Sequence, residues 1–598
     1  MNKRLRAAST CAAAWVLMAM SLGAQAGSGS LKGQVIDPGG GAMPGVMVTA
    51  TNPATGEVRV AVTNVAGVYQ LGALPLGTYT ISYQLDGFKT LTRSGILIEA
   101  SVPRTLNIAL EIGGLSEVIT VEGGAPILNL STPTVSRRLG GEEITSVPSS
   151  TRSFTHLLTA TAGVSGDLSP VGSNDTGAIS PSVNGTKQTS NSVLYNGVDI
   201  TSMLSNTGTL DESLSPAPET IDEVKLETSL YDASTGRSGG GNFQIVTRAG
   251  TNAFMGSAYS FGQYERFNSN DFFFDKNGIE KPEMRRVESG FTIGGPLRRN
   301  RAFFFGSFQH TDATSGYVPT ASSRALLPAV LALIEGPRTA ENIVSAFRSL
   351  NPSFGLLPQN VSPLAISLLN TRNPITGGYI IPAPTGPIVG NDRVVSIGTF
   401  TNAGGDPMRE LRQIVPAEFQ QKQASLRFDT RITGANRLQA SYFGSDFPSL
   451  DPFPDPSTLA SPFQIRKSNR GQVAAIGNTH VFGSGLLNDA RVGYFTLRNT
   501  REQTDDIAAI TSGQFGINNP SLLFDRSAAT LRLPHFVDRG ITWSFGGPND
   551  SFNRREQQTI HVADALSWTR RGHSIRLGGD YKLHNVKTNL PEEQGGEF

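Results

Sequence analysis

The sequence comprises 598 residues, in which 50 lysines and arginines nearly balance 49 aspartates and glutamates. A chain of this length is expected to form several domains, and the lack of a basic excess argues against nucleic-acid binding. The 66 glycines and the charged fraction of 17% suit many short strands with an apolar outer face, while a single cysteine, Cys11, excludes a disulfide framework.

The first 26 residues have the three parts of a secretory signal peptide. Lys3, Arg4 and Arg6 form a positive segment, residues 12–22 form an apolar segment, and Ala24-Gln25-Ala26 is a small-residue cleavage site. The apolar segment is about half the roughly 20 residues that a membrane-spanning helix needs. We therefore expect cleavage after Ala26, which would also remove Cys11 and leave no thiol for a cysteine nucleophile or a thiolate metal site.

Residues 27–113 consist of short alternating runs separated by glycine and proline turns. Strands at this spacing are typical of a small antiparallel β-sandwich. The predicted strands are residues 31–36, 46–50, 58–63, 69–71, 79–85 and 106–110.

A short β-branched segment, Glu117-Val118-Ile119-Thr120-Val121, follows the sandwich and is flanked by paired glycines. Such a segment can add as a strand to an exposed sheet edge of another protein, because main-chain hydrogen bonds supply the affinity. The sequence leaves an alternative open. The same residues could be the last strand of the sandwich or the first strand of the next domain.

Residues 125–249 contain signals for a short helix and for a hairpin. A helix is expected within residues 152–164, and Asn196-Gly197 after an alternating run predicts a tight hairpin turn. The polar residues between Asn184 and Asn191 could face a substrate. A structural role in turns is the preferred interpretation of these residues.

A glycine cluster marks the end of this region. Gly236-Arg237-Ser238-Gly239-Gly240-Gly241 lies between alternating runs at residues 224–228 and 243–247, and we expect the glycines to supply positive φ for a sharp reversal. A second turn at Gly250-Thr251-Asn252 precedes an aromatic strand at residues 254–261, so that Gly250 is the predicted domain boundary. No Gly-Lys dipeptide supports a phosphate-binding loop.

Beyond Gly250 the sequence alternates in a way that suits a barrel wall. In residues 424–432 apolar side chains alternate with Ser425, Arg427, Asp429 and Arg431. A barrel strand would direct the apolar set to lipid and the charged set to an aqueous lumen. Short turns such as residues 433–436 would face the periplasm. Long connections such as residues 314–418, with a possible helix at residues 340–350, would face the outside.

Catalysis and metal binding find no support in the sequence. The seven histidines are scattered, and neither a His-Glu-x-x-His motif nor a nucleophile elbow is present. We expect His156, His480, His561 and His573 to be ordinary plug, loop or lumen residues. A calcium site in the external loop at residues 451–455 lacks the spaced oxygen ligands of a calcium-binding loop. No cofactor is expected.

The junction region resembles the plug-to-barrel junction of TonB-dependent outer-membrane receptors of the Oar-like type. The resemblance rests on Tyr231-Asp-Ala-Ser-Thr-Gly-Arg-Ser-Gly-Gly-Gly241, then Thr247, then Gly250-Thr251-Asn252. Residues 152–164 and 182–199 also resemble plug elements, with Thr151 and Ala162 as departures. Residues 33–37, 44–46, 67–69, 74–79 and 87–88 resemble a carboxypeptidase-regulatory-like domain, which is not catalytic in that family.

This resemblance implies a mainly β fold with four parts. They are an N-terminal β-sandwich (residues 27–113), a linker (residues 114–124), an α+β plug (residues 125–249) and part of an antiparallel transmembrane β-barrel (residues 250–598). It also implies an outer-membrane location, with the N-terminal domains on the periplasmic side. The segment Glu117 to Val121 then resembles a TonB box, the contact for the TonB energy-coupling complex.

The function implied by the resemblance is energised import of a ligand, possible examples being a saccharide or a peptide, through a plugged barrel in contact with outer-membrane lipid. The alternative function is a surface binding or adhesion protein without energised transport. A secreted peptidase is the third and least supported hypothesis. About nine or ten strand-like runs follow Gly250, fewer than the family barrel has, so we expect the chain to be incomplete because an open barrel leaves backbone groups unpaired in hydrocarbon.

Overall fold

The computed structural model describes most of the chain after the predicted signal peptide. The described residues are 28–99, 103–113, 118–122, 133–149, 151–166, 176, 178–204, 214–236, 238–318, 322–373, 377–386, 388–389, 408–453, 464–483, 485–504, 536–537, 544–545, 552–570 and 573–589. The signal peptide, Glu117 and Arg237 therefore lie outside the described residues.

The N-terminal part, whose described residues lie between 28 and 122, forms two packed sheets and is called the sandwich below. Its strands are β1 (Ser28–Ile36), β2 (Met47–Asn52), β3 (Glu57–Val62), β4 (Val68–Pro75), β5 (Gly77–Gln84), β6 (Thr90–Ile98), β7 (Pro103–Thr105), β8 (Ile108–Ala109) and β9 (Val118–Glu122). One sheet has the order β4-β1-β7 with β8 beside β1, and the other has the order β3-β2-β5-β6-β9. Buried Leu31, Val48, Tyr79, Ile81 and Tyr83 fill the space between the sheets.

The prediction of a purely antiparallel sandwich is wrong in its last strands. β7 and β8 pair with β1 in parallel, and β9 pairs with β6 in parallel, with Leu91 opposite Ile119. The backbone of Val118–Glu122 thus forms the last strand of the sandwich, which is the alternative that the sequence had left open.

The second part, whose described residues lie between 133 and 250, is called the plug. Its elements are β10 (Val135–Gly140), α1 (Gly141–Ser146), α2 (Phe154–Leu158), β11 (Val164–Ser165), β12 (Ser182–Val183), β13 (Ser192–Tyr195), β14 (Val198–Asp199), β15 (Ile221–Ser229) and β16 (Asn242–Thr247). The main sheet has the order β10-β15-β16-β13-β14. Helix α2 confirms the expected short helix, and Asn196 (φ 46°) and Gly197 (φ 80°) confirm the predicted hairpin turn between β13 and β14.

The remaining strands and helices follow in chain order. They are β17 (Met255–Tyr264), α3 (Phe272–Lys276), β18 (Met284–Arg298), β19 (Ala302–Ser315), β20 (Ser322–Pro328), α4 (Ala340–Leu350), α5 (Pro363–Asn370), β21 (Ile388–Val389), β22 (Met408–Ile414), β23 (Ala417–Arg431), β24 (Asn436–Asp451), β25 (Ile465–Gly483), β26 (Leu486–Gln503), β27 (Phe536–Val537), β28 (Ser544–Phe545), β29 (Phe552–Arg570) and β30 (His573–Asn589).

Nine of these strands form one antiparallel sheet, called the barrel sheet, in the order β17-β18-β19-β23-β24-β25-β26-β29-β30. The connections between them alternate strictly between long and short. Two to four residues separate the paired strands at one end, where residues 299–301 and 432–435 are described short turns, and the longer segments connect the strands at the other end. The expected helix within the longest segment is confirmed as α4. Among the described residues, no helix has the length and apolar character needed to cross a membrane.

The predicted alternation in residues 424–432 is confirmed by side-chain exposure. Leu426 is 62% exposed, whereas Arg427 and Asp429 are 7% and 2% exposed.

The buried face of the barrel sheet packs against the plug. A single core cluster contains Val198 and Ile245 of the plug together with Phe443 and Phe495 of the barrel sheet. The plug therefore lies against the inner, largely polar face of the barrel sheet.

Candidate functional site: the plug and barrel contact

The glycines of the junction cluster do not adopt positive φ, and two of them allow close packing of the backbone against neighbouring residues. Of its described glycines, none lies in the left-handed region, which contradicts the expectation for Gly236, Gly239, Gly240 and Gly241. A Cβ atom on Gly240 would lie 2.6 Å from Asn191 Oδ1, and one on Gly241 would lie 2.8 Å from a methyl carbon of Val183. These two glycines let the chain pass against neighbouring plug strands.

Positive φ in this region is supplied by Leu230 instead, at 54°. The next residue, Tyr231, donates its hydroxyl proton to the carbonyl oxygens of Thr228 and Gly240, and thereby bridges the two sides of the connection between β15 and β16. Tyrosine therefore has a hydrogen-bonding role in the junction motif. The sequence alone did not indicate that role.

Gly250 touches the backbone of the barrel sheet. A Cβ atom at this position would lie 2.2 Å from the carbonyl oxygen of Phe304 and 2.8 Å from that of Gly295, so no side chain fits without moving the backbone. Two residues later, Asn252 exchanges hydrogen bonds with Asn300 in the turn between β18 and β19, at 2.6 and 2.7 Å. Gly250 and Asn252 thus fix the chain where it passes from the plug to the barrel sheet.

Thr251 lies between them and makes only local hydrogen bonds. Its hydroxyl interacts with the backbone of Ala253 at 3.1 and 3.3 Å. The structure therefore brings the predicted residues Gly240 and Gly241 together inside the plug and Gly250 and Asn252 together at the barrel wall. A methyl group added to Gly236 or Gly239 would have no atom within 4 Å, so these two glycines contribute no comparable contact.

The last plug strand is bonded to the barrel by Arg427. Its Nη1 atom donates to the carbonyl oxygen of Thr247 at 2.6 Å, and its Nε atom pairs with Asp429 at 2.8 Å. Arg437 of the neighbouring strand binds the same carboxylate at 3.1 Å. Because all lone pairs and charges in this dry region need partners, the two arginines and one carboxylate form an interdependent group.

A second group centres on Arg152, which precedes α2. Its guanidinium binds Glu219 of the plug and, at 3.0 Å, Glu288 of β18, and it lies 3.6 Å from the ring centroid of Phe261. Arg152 has φ of 54°, which is uncommon for a residue other than glycine. The surrounding ion pairs and the aromatic ring hold it in that conformation.

A third group holds the hairpin of β13 and β14 against β29 and β30. Asp199 accepts hydrogen bonds from the Thr201 amide at 2.9 Å and from Lys582 Nζ at 3.0 Å, while its own amide donates to His561 Nδ1 at 3.1 Å. Burial would raise the pKa of Asp199, but the Lys582 charge and the Thr201 hydrogen bonds outweigh it and lower the pKa below its usual value.

Gln557 of β29 extends this third group, since it accepts from the Met203 amide at 2.7 Å and donates to the Thr201 carbonyl oxygen at 2.9 Å. The sequence indicated inward-facing polar residues in the barrel strands but not their partners. Strand alternation identifies the face of the sheet to which a side chain points. Contacts between plug and barrel residues, which are far apart in the sequence, depend in addition on how the plug is oriented against the barrel sheet.

The polar residues between Asn184 and Asn191 are used inside the plug. Asn184 donates to the Thr228 carbonyl oxygen at 2.8 Å, and the Asn191 amide group bonds to Pro181 and Gly241 at 2.7 and 2.8 Å. These contacts favour the structural interpretation of this segment. Among the described residues, no three His, Cys, Asp or Glu side chains are placed to hold a metal ion.

Comparison with known proteins agrees with this architecture. A family model described as an outer membrane beta barrel domain matches residues 246–598, and a carboxypeptidase regulatory-like domain model matches residues 30–111. The chain is 27% identical over 322 residues to the TonB-dependent transporter Oar of Myxococcus xanthus. That match covers 52% of this chain and 29% of Oar, so the chain matches less than a third of the length of this curated relative.

Solved structures of lower sequence identity are also similar. The outer membrane transporter YddB from Escherichia coli has a TM-score of 0.46 at 10% identity, with 76% of this chain and 48% of that chain covered. The siderophore receptor PirA from Acinetobacter baumannii has a TM-score of 0.44 at 10% identity, with the same coverage of 76% and 48%. The family assignment does not depend on these two similarities.

The expected resemblance to Oar-like receptors and the mainly β fold are confirmed. Because the outer-membrane barrel model matches more than half of the chain, this protein belongs to the outer membrane beta barrel domain family of the Gram-negative outer membrane and is a homologue of the TonB-dependent transporter Oar.

Proposed function

We propose that the protein is a TonB-dependent transporter that imports a ligand through a barrel closed by the plug, with energy supplied from the inner membrane. The observation that supports this most directly is the set of ion pairs and hydrogen bonds that attaches the plug to the barrel sheet beside their shared apolar core. Arg152, Asp199 and Arg427 each join the plug to barrel strands through ion pairs or hydrogen bonds.

Such contacts suit a plug that moves. A hydrogen bond of a charged group to protein can be replaced by one to water, so its net contribution is only about 1.5–3 kcal/mol. The plug can then shift by exchanging protein partners for water as the lumen fills. The outer membrane has neither a nucleotide supply nor an ion gradient, so the work must arrive through contact with a periplasmic partner.

The segment from Glu117 to Val121 is the proposed contact for TonB. It is at the end of the sandwich that precedes the plug in the sequence, and its described residues, 118–121, are part of edge strand β9. A backbone that pairs at one sheet edge is able to pair at another, because edge addition uses main-chain donors and acceptors. The sandwich and this segment would lie on the periplasmic side, together with the short turns.

The ligand class proposed is a saccharide or a peptide that enters from the end of the barrel carrying the long connections. The described residues between 325 and 411 there include a separate core, to which Leu327, Val330 and Ala346 belong. This independent core also favours the alternative function, a surface binding or adhesion protein without energised transport. A rigid outer unit would serve either function.

The experiment that separates the two is uptake by whole cells of fluorescently labelled oligosaccharide and peptide libraries. Cells producing the protein are compared with cells lacking TonB and with cells whose proton gradient has been collapsed. Import predicts intracellular label that both treatments abolish while surface binding remains. Surface label without internalisation in all three conditions would support the adhesion function and refute energised import.

A further inference from the structure

The sandwich touches both the barrel sheet and the plug, and these two attachments use different residues. The turn between β2 and β3 meets the barrel at its short-turn end, where the Ala54 carbonyl oxygen accepts from the Asn252 amide at 2.8 Å. Gly56 in the same turn packs on Asn300, since a Cβ atom at Gly56 would lie 3.2 Å from the Cβ atom of Asn300. The sandwich therefore contacts the chain where it leaves the plug.

Charge reinforces the attachment to the barrel. Glu57 is 7% exposed and pairs with Arg59 of the sandwich at 2.9 Å and with Arg431 of β23 at 3.6 Å. Arg59 also donates to the carbonyl oxygen of Gly434, in the next short turn, at 3.4 Å. Separation of the sandwich from the barrel would leave the nearly buried Glu57 carboxylate without one of its two cations. This loss costs free energy, so the Glu57 contacts oppose the separation.

The attachment to the plug is separate from this one. Arg138 of β10 pairs with Glu99 of the sandwich at 3.2 Å and with Glu223 of β15 at 2.8 Å. Glu99 is held in place by Arg104 at 2.6 Å. One plug arginine is thus shared between a sandwich carboxylate and a plug carboxylate.

From these contacts we propose that the sandwich is a clamp that holds the plug in its resting position within the barrel. A body fixed to both the plug and the barrel cannot follow both when the plug moves relative to the barrel. Any plug displacement must therefore break either the Glu57 contacts or the Glu99 contacts. The clamp depends on the contacts alone and does not require that the protein bind TonB or import a ligand.

The test uses hydrogen–deuterium exchange of the chromosomally encoded protein in detergent micelles, with the plug strands β10 and β16 as the readout. Glu57→Arg replaces the carboxylate that pairs with Arg431 by a second cation. The repulsion should loosen the sandwich from the barrel and speed the exchange of both strands by about tenfold, because local opening of the plug sets the exchange rate. The swapped pair, Glu57→Arg with Arg431→Glu, restores the ion pair between sandwich and barrel but leaves Arg59 beside the new arginine, so it should return the exchange at least halfway to the wild-type rate. Neither prediction involves a ligand.

A disulfide provides the opposite change. Gly56→Cys with Asn300→Cys places two thiols at a Cβ separation close to that of a disulfide, in a protein whose single cysteine lies in the predicted signal peptide. Oxidation should slow the exchange of β10 and β16, and reduction of the same sample should reverse this change. Both samples carry the same two substitutions, so any strain at these positive-φ positions is present in both and does not affect the comparison. Plug exchange that is the same in the oxidised and reduced samples, or unchanged by Glu57→Arg, would overturn the clamp.

Discussion

The guanidinium group of Arg427 in the barrel sheet donates a hydrogen bond of 2.6 Å to the carbonyl oxygen of Thr247, the last residue of the plug sheet. This bond joins the two parts of the molecule just before the chain crosses from one to the other at Gly250. The position of the plug therefore depends on an arginine that is itself held by Asp429.

Replacing Arg427 by alanine should loosen the plug. The change removes the donor to Thr247 and leaves the buried Asp429 carboxylate with Arg437 as its remaining cation, so we expect a loss of about 3–5 kcal/mol in the free energy of unfolding. Urea titration of the protein in lipid vesicles, followed by tryptophan fluorescence, measures this loss.

A matched variant tests the cause. Arg427→Leu combined with Asp429→Asn removes the buried carboxylate together with the arginine, and it should recover at least half of the lost free energy. An equal loss in the single and the combined variants would show that the cost does not arise from a carboxylate that has lost one of its two cations.

Gly250 should tolerate no side chain. Gly250→Ala would place a methyl group 2.2 Å from the Phe304 carbonyl oxygen, and relief requires movement of barrel backbone, so we expect a destabilisation of about 1–3 kcal/mol. Gly239→Ala is the control, because no atom lies within 4 Å of the added methyl group and the residue does not have positive φ; it should change stability by less than about 0.5 kcal/mol. Similar effects of the two substitutions in the same urea titration would contradict the close-contact explanation.

These glycines also show what the sequence could and could not predict. The reversal between the two strands was evident, because alternation and glycine clusters are local signals. The reason for the glycines was wrong, since Gly240 and Gly241 are required by neighbours that the fold brings together and Leu230 supplies the positive φ. Local pattern does not reveal which distant atoms will approach.

The barrel strands show the same division. Alternation correctly placed Arg427 and Asp429 on the buried face and Leu426 on the exposed face. The partner of Asp199 could not be predicted, because Lys582 lies hundreds of residues away and any inward-facing cation would have satisfied the pattern. Strand β9 was left open between two possibilities, since a short β-branched run pairs equally well with several edges.

The hairpin attachment should be sensitive to acid. The pKa of Asp199 is lowered in the folded protein, so its ionised form stabilises the fold above the unfolded pKa, and this contribution is lost as the pH falls through the lower folded value. We expect the stability of the hairpin to stay constant from neutral pH to about pH 5 and to fall below the usual aspartate pKa of 3.8.

Asp199→Asn provides the comparison. The variant should be less stable at neutral pH, where it loses the Lys582 ion pair, and its stability should change less between pH 5 and pH 3 than that of the wild type. Hydrogen exchange of residues 192–199 across this pH range, corrected for intrinsic rates, is the measurement. Parallel pH profiles for the two proteins would assign the acid dependence to other carboxylates.

The last prediction concerns the proposed TonB contact. Ile119→Pro should abolish binding to the periplasmic domain of TonB and energised uptake, whereas Ile119→Ala should have a much smaller effect. Proline removes a main-chain donor and fixes φ, which prevents strand addition, while alanine preserves the backbone. A pull-down with the TonB periplasmic domain and a whole-cell uptake assay measure the two effects, with membrane insertion and ligand binding expected to remain.

Because Ile119 pairs with Leu91 in the sandwich, damage to the sandwich must be separated from loss of the contact. Thr92→Pro is the control, since it disturbs β6, which pairs with both β5 and β9, and leaves residues 117–121 unchanged. If Val118–Glu122 leaves β6 to join TonB, Thr92→Pro should retain or even strengthen the pull-down. Equal loss of TonB binding in Ile119→Pro and Thr92→Pro would show that binding requires an intact sandwich edge. Unchanged uptake by the Ile119→Pro variant, in cells where deletion of TonB stops uptake, would place the TonB contact elsewhere in the chain.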